Sequence, residues 1–357
     1  MATHLSVSIN MSYVPEFRGN MPRSLDSLAS WVSQLHEEPI EPELPIIDPH
    51  HHLFDDDRGR FLADELDAEI EAGTNIVGTV FVQYKSSYRT DGPEELKPVG
   101  EVEFATRVGE ECEAVGGRRS KFCSGIIAHA DLMLGDEVEH VLQAMLAAGK
   151  GRLKGVRHGA TWDAGVAGYG RAFAPRHLMR EPKFQSGVAQ LSRHGLTFDA
   201  WLFYHQLDDL VDLLERHPEI NVILDHCGGI VGLPPHLDRS SVLREWRDKL
   251  GRLAQFPNLS VKIGGLGMLY TGWDFHVRQT PPTSLELADA WKPYVLECIE
   301  SFGADRCMFE SNFPVDKQSC SYSSLWNAFK RIVKDFSADE KRALFHDNAI
   351  RVYRLED

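Results

Sequence analysis

The sequence lacks any long apolar run. None of its 357 residues belongs to a stretch of the roughly 20 apolar residues that a membrane-spanning helix needs, and residues 1–20 carry no apolar segment behind a basic start. Cysteine is also scarce, with six residues and no Cys-x-x-Cys spacing, which argues against a disulfide scaffold or a zinc finger. We expect a cytoplasmic protein with reduced thiols and no membrane partner.

Basic residues are outnumbered. The chain has 38 lysines and arginines against 53 acidic residues, a formal net charge of −15, and no basic stripe. Nucleic acid is therefore a poor partner, because its binding depends on clustered positive charge. Since 43% of the residues are hydrophobic, the chain can bury one large core. A small-molecule substrate fits this composition best.

The order of apolar runs predicts the architecture. Residues 1–44 form a polar extension with one helix, at 24–36, and residues 45–357 form a single domain. In that domain eight short apolar or β-branched runs alternate with longer amphipathic stretches. The predicted strands are 45–49, 77–83, 122–128, 153–157, 196–202, 221–225, 259–263 and 307–309. Eight strands with helical spacers predict an α/β fold, a (β/α)8 barrel of the TIM type with an N-terminal helical extension.

Each predicted strand closes on polar residues. The closing residues are His50 and His52, Gln83, His129, Arg157 and His158, Tyr204 and His205, Asp225 and His226, Lys262, and Glu310 and Asn312. Barrel active sites lie at the carboxyl ends of the strands, so these side chains are expected to share one pocket. Residues 84–100, 228–240 and 264–282 are long enough to cover it as lids.

The histidine run after the first strand predicts a metal site. Side chains alternate along a strand, so His50 and His52 project to one side and can share a divalent ion. A solvated histidine-rich loop is the alternative. His226 precedes a glycine turn and faces the barrel mouth, whereas a shift of one residue exchanges His205 for Tyr204.

Other candidates have structural explanations that remain open. His129 and His158 could be core histidines bonded to backbone carbonyls. Lys262 could be a structural cation paired with Asp225 or Glu310. The roles of these three residues depend on which side chains lie beside them in the fold.

Three segments carry a family resemblance. Ile-Asp-Pro-His-His-His-Leu-Phe-Asp (47–55), Leu-Asp-His-Cys-Gly-Gly (224–229) and Asp-Arg-Cys-Met-Phe-Glu-Ser-Asn-Phe-Pro-Val-Asp (305–316) together resemble the amidohydrolase-related (amidohydrolase 2) branch of the amidohydrolase superfamily. The resemblance covers about residues 44–355. It implies that His50 and His52 are first-strand metal ligands, that His226 is the sixth-strand histidine, and that His205 or Tyr204 holds the fifth-strand position.

The chain departs from this family pattern on its last strand. Hydrolytic members carry Ser-Asp where this chain has Ser-Asn, and Asn312 cannot take up a proton at neutral pH. Glu310, two residues earlier, supplies a carboxylate on the same strand face. Such a site suits iron or manganese with O2. The segment Met-Phe-Glu-Ser-Asn-Phe-Pro-Val-Asp-Lys (308–317) also resembles the sub-branch that includes the paired subunits of 2-aminoisobutyrate hydroxylase. This chain has Gln83, however, where many of those members have glutamate.

The leading hypothesis is a non-haem oxygenase that uses iron, or manganese with iron, and O2 to hydroxylate a small amino acid. Its predicted metal ligands are His50, His52, His205, His226 and Glu310; the catalytic residues are Glu310, His158 and Asn312; the substrate-binding residues are Arg157, Lys262, Tyr204 and Gln83.

Two alternatives stand beside it. One is a hydrolase or lactonase, with zinc as its metal and Glu310 or Asp316 as general base. The other is a non-catalytic scaffold subunit that supports an active paralogue. For all three hypotheses, the oxygenase included, we expect a homo-oligomer or a hetero-oligomer with a paralogous subunit.

Overall fold

The computed structural model describes residues 22–56, 59–71, 73–115, 120–166 and 174–356. The strands are β1 (Ile46–His51), β2 (Phe54–Asp56), β3 (Gly59–Phe61), β4 (Ile76–Val82), β5 (Lys121–Ala128), β6 (Leu153–Val156), β7 (Thr197–Ala200), β8 (Val222–Leu224), β9 (Leu259–Ile263) and β10 (Cys307–Phe309). The helices are α1 (Leu25–Val32), α2 (Ala63–Glu71), α3 (Val99–Ala114), α4 (Glu139–Gly149), α5 (Pro182–Arg193), α6 (Leu207–Arg216), α7 (His226–Gly229), α8 (Arg239–Leu253), α9 (Ser284–Phe302), α10 (Tyr322–Ile332), α11 (Ala338–Arg342) and α12 (Asn348–Tyr353).

Eight parallel strands form the barrel. Their order is β1-β4-β5-β6-β7-β8-β9-β10, and each neighbouring pair is parallel. A parallel bridge between His51 and Phe313 brings the end of the last strand back to the first and nearly closes the sheet. All eight predicted strands are confirmed, and so is the (β/α)8 fold. The additional strands β2 and β3 form a small antiparallel pair outside the barrel.

The interior of the barrel is layered. Inward-facing Val80, Ile127, Ile223 and Met308 make an apolar floor, and Tyr353 of α12 packs against it from below. Charged residues border this floor: Asp199 on β7 and Lys262 on β9 are buried beside it, and Arg157, Asp225 and Glu310 follow directly after β6, β8 and β10. This change from apolar to charged residues puts the polar chemistry at the carboxyl end.

The N-terminal segment is attached to the outside of the barrel. Helix α1 is shorter than the predicted 24–36, and its Leu28 and Trp31 are buried. The Arg23 guanidinium donates to the carbonyl oxygens of His276 and Arg278, and the Ile40 amide donates to the Asn327 side chain. The separation of residues 1–44 from 45–357 stays a prediction, as does residence in the cytoplasm.

All six cysteines are buried and carry free thiols. In the part of the chain that the structure describes, no helix combines the length and apolar character needed to cross a membrane.

Candidate active site at the carboxyl end of the barrel

A carboxylate between two imidazoles forms the centre of the site. Glu310, directly after β10, places Oε1 2.6 Å from Nδ1 of His226 and Oε2 2.7 Å from Nδ1 of His50. The first contact is a hydrogen bond, whereas Oε2 and the His50 ring are not aligned as one. Glu310 and His50 are fully buried, and the His226 side chain is 2% exposed. Three strand ends that are distant in sequence therefore meet at one point.

Two cations lie directly beneath this centre. The Lys262 ammonium on β9 contacts Asp199 at 2.7 Å and Asp225 at 3.2 Å. Arg157 Nη1 lies 3.1 Å from His50 Nε2 and 3.4 Å from Asp225 Oδ2. Asp199 also accepts from the Tyr353 hydroxyl at 2.7 Å. The barrel interior thus carries a network of two cations and three carboxylates around the imidazoles of His50 and His226.

The protonation states follow from burial and from these charges. Burial lowers the pKa of His50 well below its usual range, and the nearby Lys262, His226 and Arg157 lower it further. Burial alone would lower the pKa of Lys262, but the Asp199 and Asp225 carboxylates outweigh it, and the pKa rises. His50 is therefore neutral and Lys262 charged. Since both nitrogens of His50 face cationic donors, and a neutral imidazole accepts at one nitrogen, these contacts leave the ring imperfectly satisfied.

His52 lies beside the network with its orientation fixed. Its ring centroid is 5.0 Å from that of His50. Its Nδ1 donates to the Val82 carbonyl oxygen at 2.7 Å, so Nε2 keeps its lone pair. Burial holds the pKa of His52 well below its usual range. Among the described residues, His50 groups with His226 and Glu310 within 4.8 Å, and His52 lies outside that group, so an ion shared by His50 and His52 stays a prediction.

Close backbone approach holds Glu310 and His226 in place. A Cβ on Gly264 would lie 2.2 Å from Glu310 Cγ, and a Cβ on Gly265 would lie 2.6 Å from the His226 ring. Gly265 also has a φ of +62°, which favours glycine. The two glycines that follow β9 therefore leave the space that the Glu310 and His226 side chains occupy.

Asn312 supports the site from behind. It adopts a φ of 53°, and its backbone amide donates to the His50 carbonyl oxygen. Its side-chain Nδ2 donates to Asp316 Oδ1 at 2.8 Å. Asp316 Oδ2 accepts from the Gly267 amide, so both carboxylate oxygens are engaged. Burial raises the pKa of Asp316 to about 7. Asp316, considered above as a general base, is held in the scaffold of the site.

His158 and Gln83 are near the network but outside it. The ring of His158 is 5.0 Å from that of His129, and its Nδ1 accepts the Leu132 amide. Burial, then His129 and Lys85, lower the pKa of His158 to about 3. Gln83 contacts Arg157 through its backbone carbonyl oxygen, at 2.8 Å, and its side-chain Oε1 is buried without a hydrogen-bond partner among the described residues. Both residues sit at strand ends without joining the His50–Glu310–His226 contacts.

His205 and Tyr204 lie in a different place from the one predicted. His205 does not join the ligand set of His50; it lies in a second group with Asp163 and His236. Tyr204 bonds to His236 rather than facing the central network. The physical reason is that β7 ends at Ala200, so residues 204–206 form a 3₁₀ turn that carries both side chains to the rim.

Sequence reasoning missed Asp199 and Trp201. Asp199 lies in the middle of β7, where alternation places it inward, and this pattern could have identified it. Trp201 packs edge-on against His226, with ring centroids 4.7 Å apart. Asp163 and His236, in connections between elements, carried no periodic signal.

The centre has the donor set of a divalent-metal site. Ligand atoms of His50, His226 and Glu310 lie within 4.8 Å of one another. Glu310 Oε2 and Asp225 Oδ1 are buried without a hydrogen-bond partner among the described residues. Imidazole nitrogens with a carboxylate suit zinc and also iron or manganese, so these residues fit such an ion. Arg157 and Lys262 lie against the same atoms and oppose a further positive charge.

Comparison with known proteins identifies the family. An uncharacterised protein of Sinorhizobium fredii, y4mH, is 30% identical over 328 residues, which cover 88% of this chain and 99% of that protein. An L-fucono-1,5-lactonase of Burkholderia multivorans is 29% identical over 208 residues, or 58% of this chain and 64% of the lactonase. A crystal structure of a Burkholderia multivorans amidohydrolase with bound zinc has a TM-score of 0.64 at 22% identity and covers 87% of this chain and 99% of its own, a likeness of fold.

These similarities favour a hydrolase or lactonase over an oxygenase, and they give no support to the 2-aminoisobutyrate hydroxylase sub-branch. The use of iron or manganese is likewise unsupported. The amidohydrolase family model matches residues 47–355, nearly the whole barrel. The chain therefore belongs to the amidohydrolase 2 family of the amidohydrolase superfamily.

Proposed function

We propose that this protein hydrolyses the ester bond of a small polar lactone. The observation that carries the proposal is the 2.6 Å hydrogen bond between His226 Nδ1 and Glu310 Oε1 at the barrel mouth. Hydrolysis needs a group that takes a proton from water, and the missing aspartate at position 312 left that role open. The lactonase named among the relatives supports the choice of a cyclic ester.

The His226–Glu310 pair supplies the base. Glu310 accepts the Nδ1 proton, which fixes the tautomer and leaves the Nε2 lone pair free. Nε2 takes a proton from water as the oxygen attacks the lactone carbonyl carbon. The same proton then passes from His226 to the ring oxygen as the ester bond breaks, giving a hydroxy acid. Glu310 positions the imidazole throughout.

The buried cations stabilise negative charge. Oxygen charge develops on the lactone carbonyl as the water adds. Arg157 and Lys262 hold two positive charges next to His50, in an interior that excludes water, where such charges act strongly. Their positions are fixed by Asp199 and Asp225 before substrate binds, so little reorganisation accompanies the reaction.

A bound divalent ion would use the same side chains. His50, His226 and Glu310 would hold it, and it would act as a Lewis acid on the ester carbonyl. An ion bound by His226 would occupy the lone pair with which this ring takes a proton from water, so the two uses of His226 exclude each other. Added zinc should therefore inhibit hydrolysis if the His226–Glu310 pair is the base. It should activate hydrolysis if a bound ion acts on the ester carbonyl.

The test is lactone hydrolysis by the purified chain, assayed anaerobically without a reductant. We expect turnover of sugar-acid lactones, release of one proton per ring opened, and a loss of about 10²- to 10⁴-fold in kcat for Glu310→Gln. A matched control is Glu297→Gln on α9, which pairs with Arg247 at the surface.

Three outcomes oppose the proposal. Turnover of small amino acids that requires O2 and iron or manganese would favour the oxygenase. Activity that appears only with a co-purified paralogue would favour the scaffold subunit. Full lactonase activity in Glu310→Gln would exclude the His226–Glu310 pair as the base.

A further inference from the structure

A second group of metal-ligating side chains lies outside the central network. It consists of Asp163, His205, His236 and Tyr204, and we refer to it as the rim cluster. Asp163 follows β6, Tyr204 and His205 belong to the turn after β7, and His236 lies between α7 and α8. Three connections on the carboxyl side of the barrel therefore meet here. Nothing in the proposed hydrolysis uses these residues.

The Asp163 carboxylate is oriented by the backbone. Its Oδ1 accepts from the amides of Gly165 and Val166, each at 2.7 Å. Its Oδ2 is directed at two imidazoles, with His236 Nε2 at 2.7 Å and His205 Nε2 at 3.4 Å. Oδ1 is thus occupied by the local turn, and Oδ2 is the atom presented to the histidines.

His236 is oriented from its far side. The Tyr204 hydroxyl lies 2.8 Å from His236 Nδ1, on the opposite edge of the ring from Asp163. A ligand histidine in a metal site has its second nitrogen held by just such a partner. Tyr204 is buried, which shields this contact from solvent.

His205 is the third ligand of the set. Its ring plane is 7° from that of His236, with centroids 5.2 Å apart, and one of its ring nitrogens lies within 4.8 Å of the other two ligand atoms. Nε2 is 3.0 Å from the Trp162 carbonyl oxygen, while Nδ1 is buried without a hydrogen-bond partner among the described residues. The contacts of this ring within the protein leave one nitrogen unsatisfied.

We propose that the rim cluster binds a divalent transition-metal ion, with Zn²⁺ as the probe. Two imidazoles and one carboxylate are a ligand set that zinc accepts, with open positions left for water. Ligand atoms about 2.0–2.2 Å from a tetrahedral zinc lie roughly 3.4 Å apart, and the three ligand atoms of the cluster already lie within 4.8 Å of one another. Tyr204 acts as the positioning residue for His236. At the central site, the buried cations Arg157 and Lys262 lie against His50 and oppose a bound ion. In the rim cluster, both imidazoles contact the Asp163 carboxylate.

Metal binding would join three separate connections. The segment 228–240, which carries His236, would be tied to the loop of Asp163 and to the turn of His205. This arrangement fixes one side of the barrel mouth without contributing a group to the reaction. The proposal is independent of the proposed hydrolysis.

Zinc titration of the chelator-treated full-length chain tests the proposal. We expect His236→Asn and His205→Gln each to bind one zinc equivalent fewer than the unaltered protein, whereas Glu310→Gln keeps this equivalent. The matched control is His177→Asn, which removes a histidine that contacts Asp209 at 3.0 Å without a second imidazole. Tyr204→Phe should keep the equivalent but weaken its affinity by about 10- to 100-fold.

Cobalt substitution gives a readout that does not depend on activity. Co²⁺ at the rim cluster should produce visible d–d absorption that is lost in both histidine variants. Equal zinc stoichiometry in the unaltered protein and in both folded histidine variants would overturn the proposal. So would binding that requires millimolar zinc, or an unchanged zinc affinity in Tyr204→Phe.

Discussion

Lys262 Nζ lies 2.7 Å from Asp199 Oδ2 in the interior of the barrel, and both side chains have no solvent exposure. The same ammonium is 3.2 Å from Asp225. A charge without exposure is stable only when it is paired, so these residues depend on one another. The sequence gives no direct sign of this pair, because the two partners are 63 positions apart.

Replacing Lys262 by methionine should destabilise the protein strongly. The change keeps most of the side-chain length but leaves Asp199 without its cation and Asp225 with Arg157 alone. We expect a loss of about 3–5 kcal/mol in the free energy of unfolding, measured by urea denaturation. Lys150→Met, which breaks an exposed pair with Glu110, should cost about 1 kcal/mol or less. Similar losses in both variants would show that the buried pair has no special role.

A methyl group at position 264 should displace the central carboxylate. In Gly264→Ala the new Cβ would meet Glu310 Cγ at 2.2 Å and its carbonyl oxygen at 2.5 Å. We expect a loss of about 1–3 kcal/mol in stability and a fall in kcat that exceeds any change in KM, measured with the lactone assay. Gly251→Ala, in open space on α8, is the control and should be neutral or slightly stabilising. Unimpaired activity in Gly264→Ala would mean that Glu310 has room to shift without consequence.

Removing Arg157 should strengthen metal binding at the centre. Its Nη1 lies 3.1 Å from His50 Nε2, where its charge opposes a divalent ion. We expect Arg157→Met to raise zinc affinity by about tenfold or more, measured by chelator competition in a His236→Asn background so that only the central group is counted. Arg152→Met, at an arginine paired with Glu113, is the control. An unchanged or weaker affinity would place any bound zinc away from His50.

Acid should destabilise the protein through His51. Burial lowers the pKa of His51 to about 3, below the value of about 6.5 expected in the unfolded chain. The stability that the neutral ring contributes is therefore complete above pH 6.5 and is lost as the pH falls towards 3, by about 1.4 kcal/mol per pH unit. His51→Gln should have a shallower slope by that amount between pH 6 and 4 in urea denaturation. Parallel slopes would contradict the assignment, and His140→Gln on the surface of α4 controls for loss of a histidine.

The barrel could be predicted because its signals are local. Each strand is a short apolar run bounded by polar residues, and eight such runs with helical spacers have few other arrangements. His50, His226 and Glu310 could be named for the same reason, since they follow directly after strands whose ends meet at one face. The bounds of α1 could not, because tertiary contacts of Leu28 and Trp31 set where that helix is ordered.

Residues beyond the strands needed the tertiary structure. His205 looked like a ligand of the centre because it follows a predicted strand to residue 202, but β7 ends at Ala200 and a turn redirects the ring. Its partners Asp163 and His236 lie in connections, where no periodicity indicates direction.

The sequence by itself determined the family, the eight strands and the set of ionisable residues at the carboxyl end, because these depend on alternation and order along the chain. Only the tertiary structure decided which of them meet. Closing the barrel brought Lys262 to Asp199 and Glu310 to His226, and it separated His205 from His50. Pairing depends on strand register and on where each strand ends, and these are fixed by packing among segments far apart in sequence.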